Sequence, residues 1–441
     1  MRDPLQELIV ESLDQEGRGV AHRDGKAIFI EGALPGEVVT CNPYRRKPSY
    51  EIATLGAVLK PSASRVVPRC RYFGRCGGCA LQHLDVRAQV AAKQRVLEDS
   101  LWHLGRLRPG SVLPPVHGPS WGYRHRARLT VRDVPKKGGA LVGFHERRSS
   151  YVVDMMSCEV LPAAISALIE PLRALVNGLS IRRRLPQIEV AVGDAAAVLV
   201  LRVLEEPSPA DALSLREFAG RHGVCLYLQR GGPESAQPFH PAEDAGLYYD
   251  LPDFGVRIPF GPTEFTQVNH AANRMLVRRA LALLGPEPGE RVADLFCGIG
   301  NFSLAIARLG AQVIGVEGSR ALVERAGANA SANGLDHLAQ FVEMDLYGTA
   351  AERFARLGPF DRVLLDPPRD GAIEVIKALP EPLPRRIVYV SCSPDTLARD
   401  ASVLVNARGY GLTAAGVVNM FPHTAHVESI AVFDRDVTGE R

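Results

Sequence analysis

The spacing of apolar and polar positions changes twice along the 441-residue chain and divides it into three regions. In the first region, residues 1–60, short apolar runs are separated by glycine and proline. Residues 8–10, 27–30 and 37–40 have the pattern of short strands. Short strands at regular spacing predict a small β-barrel of the OB type over residues 1–60.

The second region, residues 61–261, mixes two periodicities. Residues 88–104 carry apolar side chains at helical spacing and predict a helix. Strand patterns then follow at residues 126–131, 141–144, 189–192, 197–203 and 224–228. We therefore predict a central α+β domain over residues 61–261.

The third region, residues 262–441, repeats the order strand, turn, helix. Its strands are predicted at residues 291–296, 311–316, 362–365 and 386–390, and its helices at 301–309 and 319–329. Strands that alternate with helices predict a doubly wound, Rossmann-like sheet. The predicted fold class is therefore α/β, with a barrel and a central domain added on the N-terminal side.

Composition and charge exclude several classes of protein. The chain is 46% hydrophobic and 23% charged, which is ordinary for a globular protein. It contains no run of 18 apolar residues, so we expect no membrane span, and its first nine residues lack the apolar centre of a signal peptide. We expect a cytoplasmic protein, and a monomer.

The net charge of +3 does not by itself indicate a nucleic-acid partner, but the basic residues are clustered. Two segments are basic, and either is compatible with RNA phosphate contacts or with a solvated surface. The first comprises Arg45, Arg46, Lys47, Lys60, Arg65, Arg69, Arg71 and Arg75, and the second Arg124, Arg126, Arg128, Arg132, Lys136 and Lys137.

Three of the eight cysteines lie close together, at Cys70, Cys76 and Cys79. Their Cys-x5-Cys-x2-Cys spacing next to a Gly-Gly turn is a strong ligand signal in a reducing compartment. Cys158 is a candidate for the fourth ligand. Spacing alone leaves both zinc and an iron–sulfur cluster open.

A glycine-rich turn at residues 294–302 joins a predicted strand to a helix. Such a turn lets the backbone approach a ligand, and Glu317, at the end of the next strand, can accept hydrogen bonds from ribose hydroxyls. These features indicate a nucleotide-like ligand, either NAD or S-adenosylmethionine. The Asp366-Pro367-Pro368-Arg369 segment after a later strand is a feature that dehydrogenases do not need.

Two further residues are candidates for chemistry. Cys392 lies in the polar turn Ser391-Cys392-Ser393-Pro394 after a predicted strand, at the sheet edge where ligands bind. Glu428 lies just before the last predicted strand, close to His423 and His426. Either histidine is equally compatible with a structural role.

Taken together, these motifs resemble those of the RNA uracil-C5 methyltransferase family, and most closely its bacterial 23S rRNA enzymes. The resemblance rests on residues 265–269, 294–302, 366–369, 391–400 and 421–428, and it extends to a TRAM domain in residues 1–60. The chain departs from the family at Ser393, where members commonly carry Asn, and at Asp370, where a basic residue is frequent.

The resemblance implies specific roles. Cys392 would be the nucleophile and Glu428 the general base. S-adenosylmethionine would be the cofactor, and a [4Fe–4S] cluster would be held by Cys70, Cys76, Cys79 and Cys158. The residues implied to contact S-adenosylmethionine are Gln267, Phe296, Asn301, Glu317 and Asp366.

The implied reaction is methylation of uridine C5 in RNA through a covalent cysteine adduct. The TRAM domain and the cluster favour 23S rRNA over tRNA as the substrate. An NAD-dependent iron–sulfur oxidoreductase would leave Cys392 and Glu428 unexplained, and those two residues also argue against a catalytically dead RNA-binding protein.

Overall fold

A computed structural model of the chain describes residues 7–347 and 351–435. The ends of the predicted barrel and of the predicted C-terminal domain, residues 1–6 and 436–441, lie outside the described residues. In the described part of the chain, none of the helices is long and apolar enough to cross a membrane.

The N-terminal region forms a six-stranded sheet in the order β1-β5-β6-β4-β3-β2. Alternate side chains of β4, including Ile28 and Ile30, are buried in a small apolar core, which confirms the predicted OB-like β-structure. The strands are β1 (Leu8–Ile9), β2 (Ser12–Leu13), β3 (Gly19–Arg23), β4 (Lys26–Glu31), β5 (Val38–Arg46) and β6 (Tyr50–Lys60).

Helix α1 (Val86–His103) confirms the helix predicted over residues 88–104. It begins after Asp85, whose carboxylate accepts a hydrogen bond from the backbone N–H of Arg87. Its apolar face, which includes Leu97 and Leu101, packs into the core of the C-terminal region. The short strand β7 (Ser111–Val112) also joins that region, at the edge of its sheet.

The central region contains a second six-stranded sheet, in the order β13-β12-β11-β10-β8-β9. The strands are β8 (Arg126–Val134), β9 (Gly139–Gly143), β10 (Gln187–Val192), β11 (Ala197–Arg202), β12 (Cys225–Gln229) and β13 (Ala236–His240). The helices are α2 (Ala163–Ser166), α3 (Ile169–Gly178) and α4 (Pro209–His222), with 3-10 turns at Pro135–Lys137, Arg182–Arg184, Pro233–Ser235 and Pro252–Phe254. The α+β composition agrees with the pattern in the sequence.

A β-hairpin and a helix connect the central region to the C-terminal one. The hairpin strands are β14 (Tyr248–Leu251) and β15 (Val256–Pro259). Helix α5 (His270–Leu284) begins at Asn269, whose side chain accepts a hydrogen bond from the N–H of Ala272.

The C-terminal region is an eight-stranded sheet in the order β18-β17-β16-β19-β20-β22-β21-β7, in which β16 to β20 are parallel. The strands are β16 (Arg291–Leu295), β17 (Gln312–Glu317), β18 (Ala339–Glu343), β19 (Arg362–Leu365), β20 (Arg386–Ser391), β21 (Gly411–Val418) and β22 (Glu428–Asp434). The helices are α6 (Ser303–Arg308), α7 (Arg320–Ala332), α8 (Ala351–Ala355), α9 (Ile373–Lys377) and α10 (Pro394–Arg408).

This arrangement confirms the predicted doubly wound α/β fold. Because the five parallel strands run in one direction, the loops after them meet at a single edge of the sheet, where ligands bind in such folds. The strand order changes direction around β16, since β17 lies on one side of it and β19 on the other.

Candidate active site

A cavity of about 580 Å³ lies at the edge where the carboxyl ends of the parallel strands meet. The loops after β16, β17, β18, β19 and β20 all contribute to its wall. The residues predicted for catalysis or cofactor binding all line it, namely Gln267, Phe296, Asn301, Glu317, Asp366, Cys392 and Glu428.

The glycine-rich turn after β16 is tied to the end of β17. The Glu317 carboxylate accepts a hydrogen bond from the N–H of Gly298 at 3.1 Å and another from the N–H of Gly318 at 2.8 Å. Phe296 has a φ of 65°, in a left-handed region that is strained for a residue with a side chain. The glycine turn is therefore fixed to the end of β17 by a carboxylate that also faces the cavity.

Asn301 belongs to this turn, and Gln267 lines the same cavity. The Asn301 amide oxygen accepts hydrogen bonds from Asn273 Nδ2 at 2.8 Å and from the Tyr249 hydroxyl at 2.9 Å. Its Nδ2 in turn donates to Asn273 at 3.0 Å, so the orientation of the amide is fixed. Gln267 lies two residues after Phe265, which is 71% exposed and also lines the cavity.

Two carboxyl groups with raised pKa values lie at the cavity: Asp294 is fully buried, and Asp366 is half-buried and lines the wall. Burial, and to a lesser degree the charge of Glu317, raises the pKa of Asp294 to about 7, although hydrogen bonds from Ser303 act in the opposite direction. Burial and the charge of Asp294 also raise the pKa of Asp366 to about 7. Acids with such pKa values are concentrated at functional sites because the surroundings resist their charge.

Cys392 directly follows β20, and Glu428 begins the neighbouring strand β22. Ser391 pairs with Ser429 in the antiparallel β20–β22 ladder, so Cys392, one residue on, lies across from Glu428, one residue back. Glu428 is the first residue of β22 rather than the residue before it, as the sequence had suggested. Its side chain is buried and faces the cavity.

The surroundings of this pair oppose negative charge. Burial, and then the charges of Glu428 and Asp366, raise the pKa of the Cys392 thiol to about 11, whereas Arg369 acts in the opposite direction. Burial and Asp366 raise the pKa of Glu428 well above its ordinary value, and Lys93 lowers it. A cation entering with a ligand would therefore stabilise the thiolate.

The two histidines near Glu428 have different surroundings. His423 stacks on Trp121 with ring centroids 3.8 Å apart and contacts Gln89 through Nδ1 at 3.1 Å. Burial lowers its pKa to about 4, and it fits the structural interpretation. His426 lines the cavity, where its Nδ1 contacts Arg369 at 3.0 Å.

Several residues of the site were missed in the sequence. Asp345 and Tyr347 follow β18 and line the cavity, and the Tyr347 ring lies 5.6 Å from that of Phe296. The rule that ligands bind after parallel strands would have found Asp345. Lys93, on α1, carries no comparable signal because it is distant in sequence from every motif.

The four predicted ligand cysteines surround a second, smaller cavity of about 70 Å³. Burial raises the pKa of Cys79 to about 12 and that of Cys158 to about 11, and the neighbouring thiols of the set add to both shifts. The backbone N–H of Gly78 donates to the Cys76 sulfur at 3.4 Å. Over residues 7–347 and 351–435, however, no group of three or more His, Cys, Asp or Glu side chains is arranged to hold a single metal ion.

The cysteine loop also contacts the segment that precedes Glu428. The backbone N–H groups of Ala80 and Leu81, directly after Cys79, both donate to the carbonyl of His423 at 2.9 Å. His423 has a φ of 65°, so this carbonyl is presented from a strained turn. Two backbone hydrogen bonds thus connect the cysteine site with the segment that precedes Glu428.

The first basic segment is only partly available to a ligand. Arg65 forms an ion pair with the fully buried Glu37, and Arg69 and Arg75 form ion pairs with Glu159 and Glu146. Arg46 lies 3.8 Å from the Glu51 carboxylate but is exposed. The other basic residues of the segment are also exposed: Arg45, Lys47, Lys60 and Arg71. Arg45 lines a groove of about 760 Å³ together with Phe29, Tyr44, Tyr50, Arg147 and Arg148.

Comparisons with known proteins identify the family of this chain. A family profile for tRNA (Uracil-5-)-methyltransferase matches residues 257–436, and a TRAM domain profile matches residues 5–42. A protein of Nitrosospira multiformis named 23S rRNA (uracil(1939)-C(5))-methyltransferase RlmD is 62% identical, over 97% of this chain and 98% of its own length. The chain belongs to the RNA uracil-C5 methyltransferase family.

Other members of the family match along equally long stretches. A protein of the same name from Aromatoleum aromaticum is 59% identical over 97% of this chain and 99% of its own. The tRNA (uracil-54, C5)-methyltransferase of Pyrococcus abyssi, solved with S-adenosyl-L-homocysteine, superposes with a TM-score of 0.72. It is 23% identical and covers 97% of this chain and 100% of its own, so it shares the fold.

The departure from the family pattern at Ser393 is accompanied by a different set of hydrogen bonds in the cysteine turn. Where members commonly carry Asn, Ser393 caps α10 without a side-chain hydrogen bond. The cysteine turn is instead braced by the Ser391 hydroxyl, which accepts from the N–H of Ser393 at 3.1 Å and donates to its carbonyl at 3.0 Å. In this chain the cysteine turn is therefore braced by the Ser391 side chain and by the backbone of Ser393.

Proposed function

We propose that this protein methylates C5 of a uridine in 23S rRNA with S-adenosylmethionine as methyl donor, at the site corresponding to uracil 1939 of its relatives. The names of relatives that match almost the whole chain support the choice of RNA. One observation carries the chemistry: the proposed nucleophile, the proposed base and the proposed cofactor contacts line the same cavity.

Cys392 would act as the nucleophile. C5 of uracil reacts poorly with a methyl donor until a thiolate adds to C6, which forms a sulfur–carbon bond and moves electron density to C5. C5 would then form a bond to the methyl group as its bond to the donor sulfur breaks, and S-adenosylhomocysteine would leave. S-adenosylmethionine supplies that group together with a sulfonium charge, and the raised pKa of Cys392 is a reason for the thiolate to form only beside such a cation.

Glu428 would act as the general base. After methyl transfer, C5 still carries a proton, and its removal lets the electrons expel the Cys392 thiolate from C6 and restore the ring. General-base catalysis typically contributes about 100- to 10,000-fold. The location of Glu428 across the ladder from Cys392 supports this division of roles.

The cofactor would lie along the glycine turn. Glu317 would accept hydrogen bonds from the ribose hydroxyls, and Phe296 and Asn301 would line the cofactor side of the cavity. Gln267 and Asp366, which line the same cavity, would also contact the cofactor. Asp345, after β18, is a further candidate contact.

The four cysteines Cys70, Cys76, Cys79 and Cys158 would hold a [4Fe–4S] cluster. They surround one cavity, yet no three of these thiols are arranged for a single ion. The choice of a cluster over zinc rests on the resemblance of this cysteine spacing to that of the family. The methyl chemistry needs no electron transfer, and the hydrogen bonds from Ala80 and Leu81 to His423 support a structural role.

We assign RNA contacts to the barrel over residues 1–60, the cluster to residues 61–261, and catalysis to residues 262–441 with α1 and β7 packed against it. The exposed arginines and aromatic rings around Arg45 suit phosphates and unstacked bases.

Because C5 and C6 of a stacked base are covered, we expect a loop uridine or an extruded base. We also expect a cytoplasmic monomer.

The substrate can be tested by mapping 5-methyluridine in ribosomal and transfer RNA from a deletion strain and its parent. We expect one 23S rRNA position to lose its methyl group and to recover it with the wild-type gene but not with Cys392→Ala. Loss from tRNA instead would support the alternative substrate. Unchanged RNA in both pools would contradict the proposal.

A further inference from the structure

Lys93 is a buried lysine whose hydrogen bonds hold the segment before Glu428. Its side chain is 3% exposed, and its Nζ donates to the Phe421 carbonyl at 2.8 Å and to Asn419 Oδ1 at 3.1 Å. Neither acceptor is charged. Because burying an ammonium group is costly, a buried lysine is normally accompanied by a group of opposite charge.

Glu428 is the titratable group beside these acceptors, because it pairs in the β21–β22 ladder with Val418, the residue before Asn419. Burial and the charge of Asp366 favour the protonated form of Glu428, and Lys93 is the group that opposes them. In return, Glu428 favours the charged form of Lys93, although burial lowers the pKa of this lysine to about 7. A general base has to be unprotonated at the moment when it removes the proton from its substrate.

We propose that Lys93 is a positioning residue that holds the segment before Glu428 and keeps Glu428 in its carboxylate form for removal of the C5 proton. The inference rests on the role of Glu428 proposed above. Lys93 does not line the reaction cavity, so it acts through Glu428 and not on the substrate.

Other titratable groups line the cavity with Glu428, and Lys93 Nζ hydrogen-bonds to none of them. Asp366 follows β19 and Cys392 follows β20, and both face the same cavity. Arg369 and His426 contact one another on its far wall. A change in the pH dependence on replacing Lys93 therefore reports the charge of Lys93 and not that of these groups.

Gln89 provides a matched control. It lies one turn before Lys93 on the same face of α1 and is fully buried. Its Oε1 accepts from the N–H of His423 at 2.8 Å, and its Nε2 donates to the carbonyls of Leu84 at 2.8 Å and Leu81 at 3.0 Å. It holds the same segment with neutral hydrogen bonds, so replacing it tests anchoring without charge.

The experiment follows decay of the methylated protein–RNA adduct as a function of pH. The probe is a 23S rRNA fragment that spans the target uridine, with S-adenosylmethionine labelled in the methyl group. At low pH the decay rate falls because Glu428 becomes protonated, and this part of the pH–rate profile is the acid limb. We expect the acid limb to move to higher pH by roughly one to three pH units in Lys93→Met, and also in Lys93→Gln, which retains a hydrogen-bond donor. Removing a positive charge raises the pKa of a carboxyl, so the direction is upward. The labelled adduct should accumulate near pH 7 and decay again at higher pH.

Two controls separate charge from packing. Lys93→Arg keeps the charge and should restore the acid limb to its wild-type position. Gln89→Met should lower the rate at every pH without moving the limb. Thermal unfolding of each variant identifies those that fold, and either Lys93→Met or Lys93→Gln suffices for the comparison.

Two results would overturn the inference. One is an acid limb that stays in place in the neutral Lys93 variants. The other is a limb that moves equally in Gln89→Met. Failure of the underlying assignment has a different signature, because Glu428→Gln would then turn over normally. A stalled Glu428→Gln with an unmoved limb in the Lys93 variants contradicts only the role of Lys93.

Discussion

Glu428 lies opposite Cys392 at the end of the β20–β22 ladder, one position beyond the paired residues Ser391 and Ser429. Cys392 directly follows β20 and Glu428 begins β22, so the two groups enter one cavity from adjacent positions.

The two substitutions should fail at different steps. Cys392→Ala cannot bond to C6, so it should form no adduct and transfer no methyl group. Glu428→Gln should attack and methylate, then stall, because the C5 proton stays in place. Denaturing gels with methyl-labelled S-adenosylmethionine should show a labelled protein–RNA band for Glu428→Gln and none for Cys392→Ala. Cys225→Ala, in the central sheet, should behave as the wild type. Activity in Cys392→Ala would disprove the covalent route.

Removal of the Glu317 carboxylate should weaken cofactor binding. It accepts hydrogen bonds from the N–H groups of Gly298 and Gly318 and faces the cavity, so Glu317→Ala should reduce S-adenosylmethionine affinity by about 1–3 kcal/mol in calorimetry. Glu343 occupies the paired position on β18 and is exposed. Glu343→Ala is thus the matched control, and equal losses in both variants would contradict a specific role for Glu317.

The cysteine site should contain iron. Protein purified without oxygen should be brown and carry about four irons per chain, and Cys79→Ser should lose most of them. Cys41→Ser, in the barrel, should retain the full amount. Stoichiometric zinc without iron would show that the site holds a different metal.

The exposed basic residues beside the groove should contact phosphates. Replacing Arg45, Arg46 and Lys47 together with alanine should weaken RNA binding and reduce the slope of log affinity against log salt by roughly two to three, as for three lost phosphate contacts. The same replacement of the exposed Arg182, Arg183 and Arg184 provides a control of equal charge. An equal change in both variants would indicate that only the net charge matters.

Local patterns in the sequence predicted much of this structure. The strand at Arg362–Leu365 and the helix α1 agree closely with their periodicity, because apolar spacing reflects which face of an element is buried. The convergence of Glu317, Asp366 and Cys392 followed from one rule, that parallel strands end at the same edge. These are properties of short segments and of their order.

Contacts between distant segments were not predictable in this way. Lys93 on α1 meets Asn419 and Phe421, more than 300 positions away, and no local pattern encodes such a contact. The partners of the basic segment were missed for the same reason. Its arginines looked free because acids are rare nearby, whereas Arg69 and Arg75 pair with Glu159 and Glu146 of the central region.

The packing of α1 against α10 has a consequence for synthesis on the ribosome. The two helices are separated by roughly 290 residues, which take about 15 to 60 seconds to translate. During that time the apolar face around Leu97 and Leu101 has emerged but α10 has not, while the barrel and the central sheet can already form. The nascent chain therefore exposes this face until its last tenth is made, and a chain that stops before α10 presents it to chaperones and proteases.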